Sequence, residues 1–386
     1  MATVPLTRRR PLASMHRDPS AIWHHVDALM VGCLLALSTL GMLMVYSATR
    51  GAEEPYDTRL LKRQALFVAL GLIAAAVTAV IDYRAVVDRA PIFYGATVLM
   101  LVAVTIVGSS RSGTQGWFQM GPFQLQPSEF AKLALILGFT YMATQYHGDL
   151  DLRRVGVLLG IGAVPVGLVL LQPDLGTALV SVAITFALLV VAGVRGRVLL
   201  LLGVGAIAFA VLVLNSGLLD EYQTERLTTF ASQERPRTQA EERDSFWNLE
   251  QSKIAIGSGG VTGKGLFNGP QTRLGTVPEQ HTDFIFTAVG EQLGLAGAAA
   301  LLGLYATIVW RIWRTAQLAR DDTGTMLCTG VLALFVFQIF QNVGMTMGIM
   351  PITGIPLPFL SYGGSSTIMA FIALGLVMNV HMRRFR

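Results

Sequence analysis

Apolar runs of membrane-spanning length recur along almost the whole chain, and little but a bundle of membrane helices can be built from them. They lie at about 26–48, 64–81, 92–108, 128–145, 155–171, 175–193, 197–215, 284–311, 324–348 and 365–382, each bounded by Gly, Pro or charge. A bilayer core takes about 20 apolar residues per helix, because backbone amides find no water there. The expectation is an all-α integral membrane protein with ten transmembrane helices. Composition agrees: of 386 residues, 53% are hydrophobic and 14% charged, which excludes an ordinary soluble domain. The first run is too long for the core of a secretory signal and no small-residue cleavage site follows it, so it reads as an uncleaved helix.

The net charge of +5 is spread through short loops rather than gathered into a patch, which argues for membrane orientation and against nucleic acid as a partner. With the N-terminus inside, one set of alternate loops holds Arg8, Arg9, Arg10, Arg17, Arg84, Arg89, Arg153, Arg154, Arg195, Arg197, Arg311, Arg314, Arg320, Arg383, Arg384 and Arg386. The other set is poorer in short-loop cations, because most of its basic residues lie in the long loop 216–282, where the positive-inside rule loses force. Both termini are therefore expected in the cytoplasm, with 216–282 a large extracellular loop between helices 7 and 8. The organisation is a basic cytoplasmic tail at 1–25, a single membrane domain at 26–384 and a C-terminal end at 385–386. Cys33 and Cys328 sit inside apolar runs, so no disulfide framework or CxxC site is available, and the six histidines lack the spacing of a zinc enzyme.

The unusual chemistry falls on the expected outer face. In V-P-E-Q-H-T-D-F-I-F, starting at Val277, the carboxylate of Asp283 opens a new apolar run. An ionisable group at membrane depth is a functional candidate, while the bland alternative is a helix cap. Glu279 and His281 flank it. Glu129 and Lys132, at i,i+3 in Q-P-S-E-F-A-K, share one helix face, either as a structural ion pair or as substrate-binding groups. Asp174, in L-Q-P-D-L-G-T-A, is a turn residue in the commoner reading and, with Glu279 and His281, a candidate substrate-binding residue in the other. Glu291 either lines the cavity or pairs with a neighbouring helix. Within the long loop, 232–248 reads as solvated and mobile. Six glycines between Gly257 and Gly269 invite a nucleotide-loop reading, which fails because Lys264 precedes Gly265 rather than Ser or Thr and no strand comes before. They are read instead as letting the backbone run close to the membrane surface or a ligand. Pro351, Pro356 and Pro358 break an apolar segment that is tolerated at this depth only where protein buries it or a cavity adjoins it, and it is expected to wall that cavity.

Taken together, Q-P-S-E-F-x-K at 126–132, Q-P-D-L-G-T-A at 172–178, S-K-I-A-I-G-S-G-G-V-x-G-K-G at 252–265, P-E-Q-H-T-D-F-I-F at 278–286 and P-x-P-F-L-S-Y-G-G-S at 356–365 resemble the SEDS family (shape, elongation, division and sporulation). The resemblance runs from about 26 to 384 in the family's order. G-L-F-N-G-P-Q-T-R-L-G-T-V-P-E-Q is more similar to the elongation (RodA-like) branch than to the division (FtsW-like) branch. The resemblance implies a ten-helix peptidoglycan glycosyltransferase of the bacterial cytoplasmic (inner) membrane, polymerising lipid II at the outer face beside a class B penicillin-binding transpeptidase. It maps the family's essential acid onto Asp283 and its Glu and Lys onto Glu129 and Lys132. One departure is Gly116 before Trp117, where the family often has Arg; Arg111 is a candidate substitute.

The chemistry fits one carboxylate. A β-link made from an α-linked sugar pyrophosphate is a single inversion, which needs a base for the acceptor hydroxyl and no covalent nucleophile. The leaving pyrophosphate needs positive charge, from Lys132, Lys253, Lys264, Arg273, Arg63 or a divalent ion such as Mg or Mn, with Lys132 and Lys253 favoured. No organic cofactor is expected. Rival readings are a lipid II flippase or other transporter, a division-branch polymerase, and a non-catalytic scaffold for the transpeptidase.

Overall fold

The computed structural model describes residues 25–51, 56–111, 114–121, 123–146, 150–215 and 245–384. The arginine-bearing tail, residues 216–244 of the long loop and residues 385–386 lie outside the described residues. Of the stretch 232–248 only the end is described, and from Ser245 it is helical rather than mobile coil.

Every expected span coincides with a long helix. In order these are α1 (Ala28–Thr49), α2 (Arg59–Val80), a short α3 (Tyr83–Asp88), α4 (Ala90–Val107), α5 (Pro127–Gln145), α6 (Leu152–Leu170), α7 (Leu175–Val191), α8 (Gly196–Asn215), α9 (Ser245–Ser258), α10 (Pro270–Leu274), α11 (Ile285–Gln317), α12 (Asp322–Thr346) and α13 (Gly364–Arg383). Seven of the described helices, α1, α2, α4, α6, α11, α12 and α13, are long and apolar enough to cross a membrane, and α7 and the first part of α8 are shorter apolar helices. Aspartates open several of them: Asp27, Asp151, Asp174 and Asp321 each accept a backbone N–H in the first turn, satisfying donors that the helix itself cannot.

α5 carries Glu129 and Lys132 and is enclosed along most of its length. α2 runs along α13, where Gly375 lies against Ala75 and Thr78 so closely that a Cβ would overlap the α2 backbone. Small residues of this kind let helices approach in hydrocarbon, where burial of apolar surface supplies little drive. α11 packs on α1 and α12, while α4, α6 and α7 cover α5.

Both ends of the described chain meet at one end of the bundle. Asp27 pairs with Arg311 at 2.5 Å, and Thr315 bonds His381 at 3.2 Å. We call this the terminal end. The opposite, loop-bearing end holds α9, α10, the segment 347–363 and a small sheet. That sheet is a small addition to a fold that is otherwise helical, as expected. β1 (Ser109–Arg111), β2 (Thr114–Met120) and β3 (Phe123–Leu125) form an antiparallel ribbon with Phe118 opposite Leu125 and Met120 opposite Phe123. Its turn passes through Gly121 at φ 61°, a left-handed conformation that glycine adopts without strain.

A correction concerns α11, which the sequence presents as one continuous run. Gly294 is non-helical (φ 64°, ψ −165°) and breaks the helix into 285–293 and 295–317. The break frees backbone groups that must be satisfied, and the glycine run of the long loop supplies the partners. Lys264 N donates to Glu291 O at 3.0 Å and Gly265 N to Gln292 O at 3.0 Å. In return Leu295 N donates to Gly260 O at 2.9 Å and Ala296 N to Val261 O at 3.0 Å. A Cβ on Gly263 would lie 2.1 Å from Gln292 O. Gly259 and Gly263 therefore admit backbone against backbone.

Candidate active site

The stretches that carry the predicted residues are tied to the proline-broken segment between α12 and α13. Its own backbone is irregular, so its polar groups need outside partners. α12 presents three buried amides one turn apart, Gln338, Gln341 and Asn342. Gln341 Nε2 donates to Pro351 O at 2.8 Å and Asn342 Nδ2 to Ile355 O at 2.7 Å. Tyr305 donates its hydroxyl to Pro358 O. The segment then reaches each motif in turn. Thr353 O lies against Gly176, Gln64 Nε2 of α2 donates to Ser361 O at 3.2 Å, and Tyr362 N donates to His281 O at 2.9 Å. Ser365 Oγ accepts from Gln126 N at 3.0 Å, which ties down the start of α5.

Pro356, Leu357, Pro358, Phe359 and Ser361 of this segment face Gln338, Ser366, Thr367 and Ala370 across a gap of about 10 Å³, room for a single water, so the segment is closely packed there and walls no substrate-sized cavity at that point. Its role as the joint between motifs is not legible from the sequence. The signal that points to it is the amide spacing i, i+3, i+4 in the apolar run of α12, since buried amides in a membrane helix need partners.

Asp283 closes a tight turn. Glu279 adopts φ 47°, and its carbonyl accepts from Thr282 N at 3.1 Å and Asp283 N at 3.2 Å. Asp283 is half-buried, directly before Phe284, the N-cap of α11. Phe284 packs with Leu249, Ala255, Val277 and Ile352 in a small cluster of its own. That cluster fixes α9 beneath the turn, with Leu249, Ser252 and Ala255 inward and Lys253 exposed on the other side. Ser252 Oγ donates to Thr346 O at 2.6 Å, docking α9 on the end of α12. His281 is half-buried, with its ring 5.7 Å from that of Tyr362, and Glu279 is exposed.

Glu129 and Lys132 form the expected pair at 2.8 Å, 2% and 1% exposed. Glu129 sits in the first turn of α5, where the helix N-terminus favours a negative charge. Its Oε2 and the neighbouring Ser128 Oγ are buried with no hydrogen-bond partner among the described residues. The ammonium is thus committed to Glu129 and enclosed, unlike Lys253 and Arg63, which are both exposed.

Two acids have structural partners. Asp174 accepts from Thr177 N at 2.9 Å and caps α7, the commoner of its readings. Glu291 is wholly buried and reaches back across the sequence. It accepts from Gln271 N at 2.7 Å, Thr272 N at 2.9 Å and Thr272 Oγ1 at 2.6 Å, capping α10 rather than lining a cavity. Gln292 beside it accepts from Ser47 Oγ and Phe267 N, both at 2.9 Å. Among the described residues no three His, Cys, Asp or Glu side chains gather as a metal site.

Comparison with known proteins matches this framework from end to end. The family model described as "Cell cycle protein", covering FtsW, RodA and SpoVE, matches residues 27–385. A probable peptidoglycan glycosyltransferase FtsW of Trichlorobacter lovleyi is 36% identical over 92% of this chain and 92% of its own. The peptidoglycan glycosyltransferase MrdB of Escherichia coli K12 is 34% identical over 93% and 94%. Stage V sporulation protein E of Bacillus subtilis is 34% identical over 92% and 95%. Among solved structures, a chain from a peptidoglycan synthase complex, described for the coordination of polymerization and crosslinking, superposes with TM-score 0.78 at 31% identity over 94% of this chain and 99% of that one. The rod shape determining protein RodA of Thermus thermophilus superposes with TM-score 0.70 at 30% identity over 95% and 100%. With a family model that matches residues 27–385, relatives 34–36% identical over more than nine-tenths of the chain and solved structures of the same fold, this chain belongs to the FtsW/RodA/SpoVE family, the SEDS peptidoglycan glycosyltransferases of the membrane.

Proposed function

We propose that this protein polymerises lipid II at the outer face of the bacterial cytoplasmic membrane, with Asp283 as general base. The observation that carries the reading is the Asp283 turn, held at the loop-bearing end where the irregular 351–365 segment meets α9, α12 and the end of α5. A half-buried carboxylate there can meet a sugar while the polyprenyl chain stays in lipid. The acceptor's 4-hydroxyl attacks C1 of the donor, the C1–O bond to pyrophosphate breaks with inversion, and the hydroxyl proton passes to the Asp283 carboxylate. One proton moves, so one base suffices, and His281 is a hydrogen-bonding neighbour.

The pyrophosphate is assigned to exposed cations of the predicted set, Lys253 first, with Lys264, Arg273 and Arg63 as alternatives. The Glu129–Lys132 pair acts from within, and its unpaired Oε2 is an acceptor for a substrate hydroxyl or amide. Mg or Mn, where used, is assigned to the pyrophosphate oxygens rather than to a protein cage.

The ten long helices are read as ten crossings, with both termini cytoplasmic and 216–282 outside; the shared location of Asp27 and His381 at one end supports an even number. A class B penicillin-binding transpeptidase is the proposed partner, a role supported by the synthase complex above. The elongation branch is favoured by the 265–280 motif, although both FtsW and MrdB relatives are similar to the chain. The flippase reading draws on the buried Glu129–Lys132 pair, since ion pairs inside membrane helices also serve transport.

Purified protein with its transpeptidase, given lipid II and a divalent cation, tests the reading. Wild type is expected to give polymer on a gel, and folded Asp283→Asn none. Equal polymer from both would remove Asp283 from the reaction, and none from either would favour the flippase.

A further inference from the structure

We infer that Asn342 is a positioning residue for glycosyl transfer, fixing the backbone that carries Asp283; this rests on the reading of Asp283 as the base. Asp283 precedes the N-cap of α11, so its carbonyl lies outside the helical ladder and needs another donor. Asn342 Nδ2 supplies it at 2.7 Å, and its second N–H goes to Ile355 O at 2.7 Å. Both partners are carbonyls, so only the NH2 end of the amide can face them.

Packing alone gives no reason for asparagine here. The residue is wholly buried within α12, and its Oδ1 has no hydrogen-bond partner among the described residues. A buried acceptor left unpaired costs stability, and leucine would fill the same space without that cost. The two donors do what leucine cannot: they tie the Asp283 turn and the 351–365 segment to one point on a membrane helix. The turn is gripped again two residues earlier, where Tyr362 N holds His281 O at 2.9 Å. Two carbonyls of H-T-D are thus fixed from two different elements, which sets the direction of the Cα–Cβ bond between them. Catalytic groups need placement within about 0.5 Å, and a misplacement of about 1 Å can lower the rate about a hundredfold. Asn342 touches the main chain of the base, not the substrate, so its effect belongs in kcat rather than KM.

The test uses the full-length protein with its transpeptidase and lipid II, comparing wild type, Asn342→Leu, Asn342→Gln and Asp283→Asn for initial rate against substrate concentration, pH profile and thermal unfolding. Asn342→Gln keeps the amide one methylene further out, and keeps the proposal testable if the leucine variant folds poorly. The expected result is kcat lower by about tenfold in Asn342→Gln and about a hundredfold in Asn342→Leu per folded molecule, with KM unchanged. The pH limb set by Asp283 is expected to move in both. Wild-type kcat and pH profile in both variants beside an inactive Asp283→Asn would overturn the positioning role alone. So would losses that track only the folded fraction. A wild-type rate from Asp283→Asn would overturn the base and this inference together.

Discussion

Asp321 at the terminal end and Glu129 at the loop-bearing end are both acids beside a cation, yet their surroundings treat them differently. Asp321 is saturated. Its Oδ1 accepts from Tyr83 at 2.9 Å and Gly324 N at 2.8 Å, and its Oδ2 from Arg84 Nε at 2.7 Å and Tyr83 at 3.0 Å. Glu129 has Lys132 on one oxygen and, among the described residues, no partner on the other, although it is almost wholly enclosed. A saturated network stabilises and does little else; a buried acceptor left open is costly and is the place to look for a substrate. The Asp321 network is built as a latch, whereas Glu129 keeps an open acceptor at the end proposed to hold the site.

The largest effect expected from breaking this contrast is at the pair. Lys132→Met leaves a buried carboxylate alone and is expected to lower stability by about 3–5 kcal/mol, read as loss of monodisperse protein and a lower unfolding temperature. Glu129→Gln combined with Lys132→Met removes both charges and should restore most of that stability. If the pair belongs to the site, polymerisation stays low in the double variant; recovery of both would make it purely structural, like Asp321.

Next in size is the clasp around Gly294. Gly263 sits at φ 79° with Gln292 O in its path, so Gly263→Ala is expected to cost about 2 kcal/mol through strain and displaced backbone bonds. Limited proteolysis should then cut near 257–272 while α1 and α2 stay protected. Unchanged protection would mean that the loop closes without the glycines.

The smallest effect lies at the latch, where Asp321→Asn is expected to cost about 1 kcal/mol because the pair is partly exposed. Burial raises the Asp321 carboxyl, but the Gly324 amide, Arg84 and Tyr83 together hold it below the usual range. Its stabilisation is therefore present above the unfolded pKa, near 3.9, and lost as pH falls through the lower folded value. Burial and then Asp321 push Tyr83 up to about 12, so that contribution is present below the unfolded pKa, near 10, and lost as pH rises through about 12. Unfolding temperatures of wild type and Asp321→Asn across pH 3–10 should converge at the acid end. A constant gap would count against the carboxylate as the cause.

What the sequence could reveal follows from range. Ten apolar runs declare their helices because each needs only its own residues, and Glu129 with Lys132 is legible because i,i+3 on a helix is local geometry. Asp174 declares a turn for the same reason. The rest depends on distant partners. Glu291 reaches Gln271 and Thr272, Asn342 reaches Asp283, and Tyr362 reaches His281, all across intervals that no periodicity records. The sheet is hardly legible because β1 and β3 are three residues each, its local signal being the G-P step after Met120 between aromatic-rich stretches. Gly294 looks like any small residue of an apolar run, because what holds the break there is the pairing offered by Gly260 and Val261.

The most direct measurement sets one acid from each end side by side: polymer formed from lipid II, and unfolding temperature, for Asp283→Asn and Asp321→Asn. The account predicts that Asp283→Asn unfolds like wild type and makes no polymer, while Asp321→Asn unfolds at lower temperature and polymerises at the wild-type rate per folded molecule. Polymer from Asp283→Asn, or an equal loss of activity per folded molecule in both, would contradict it.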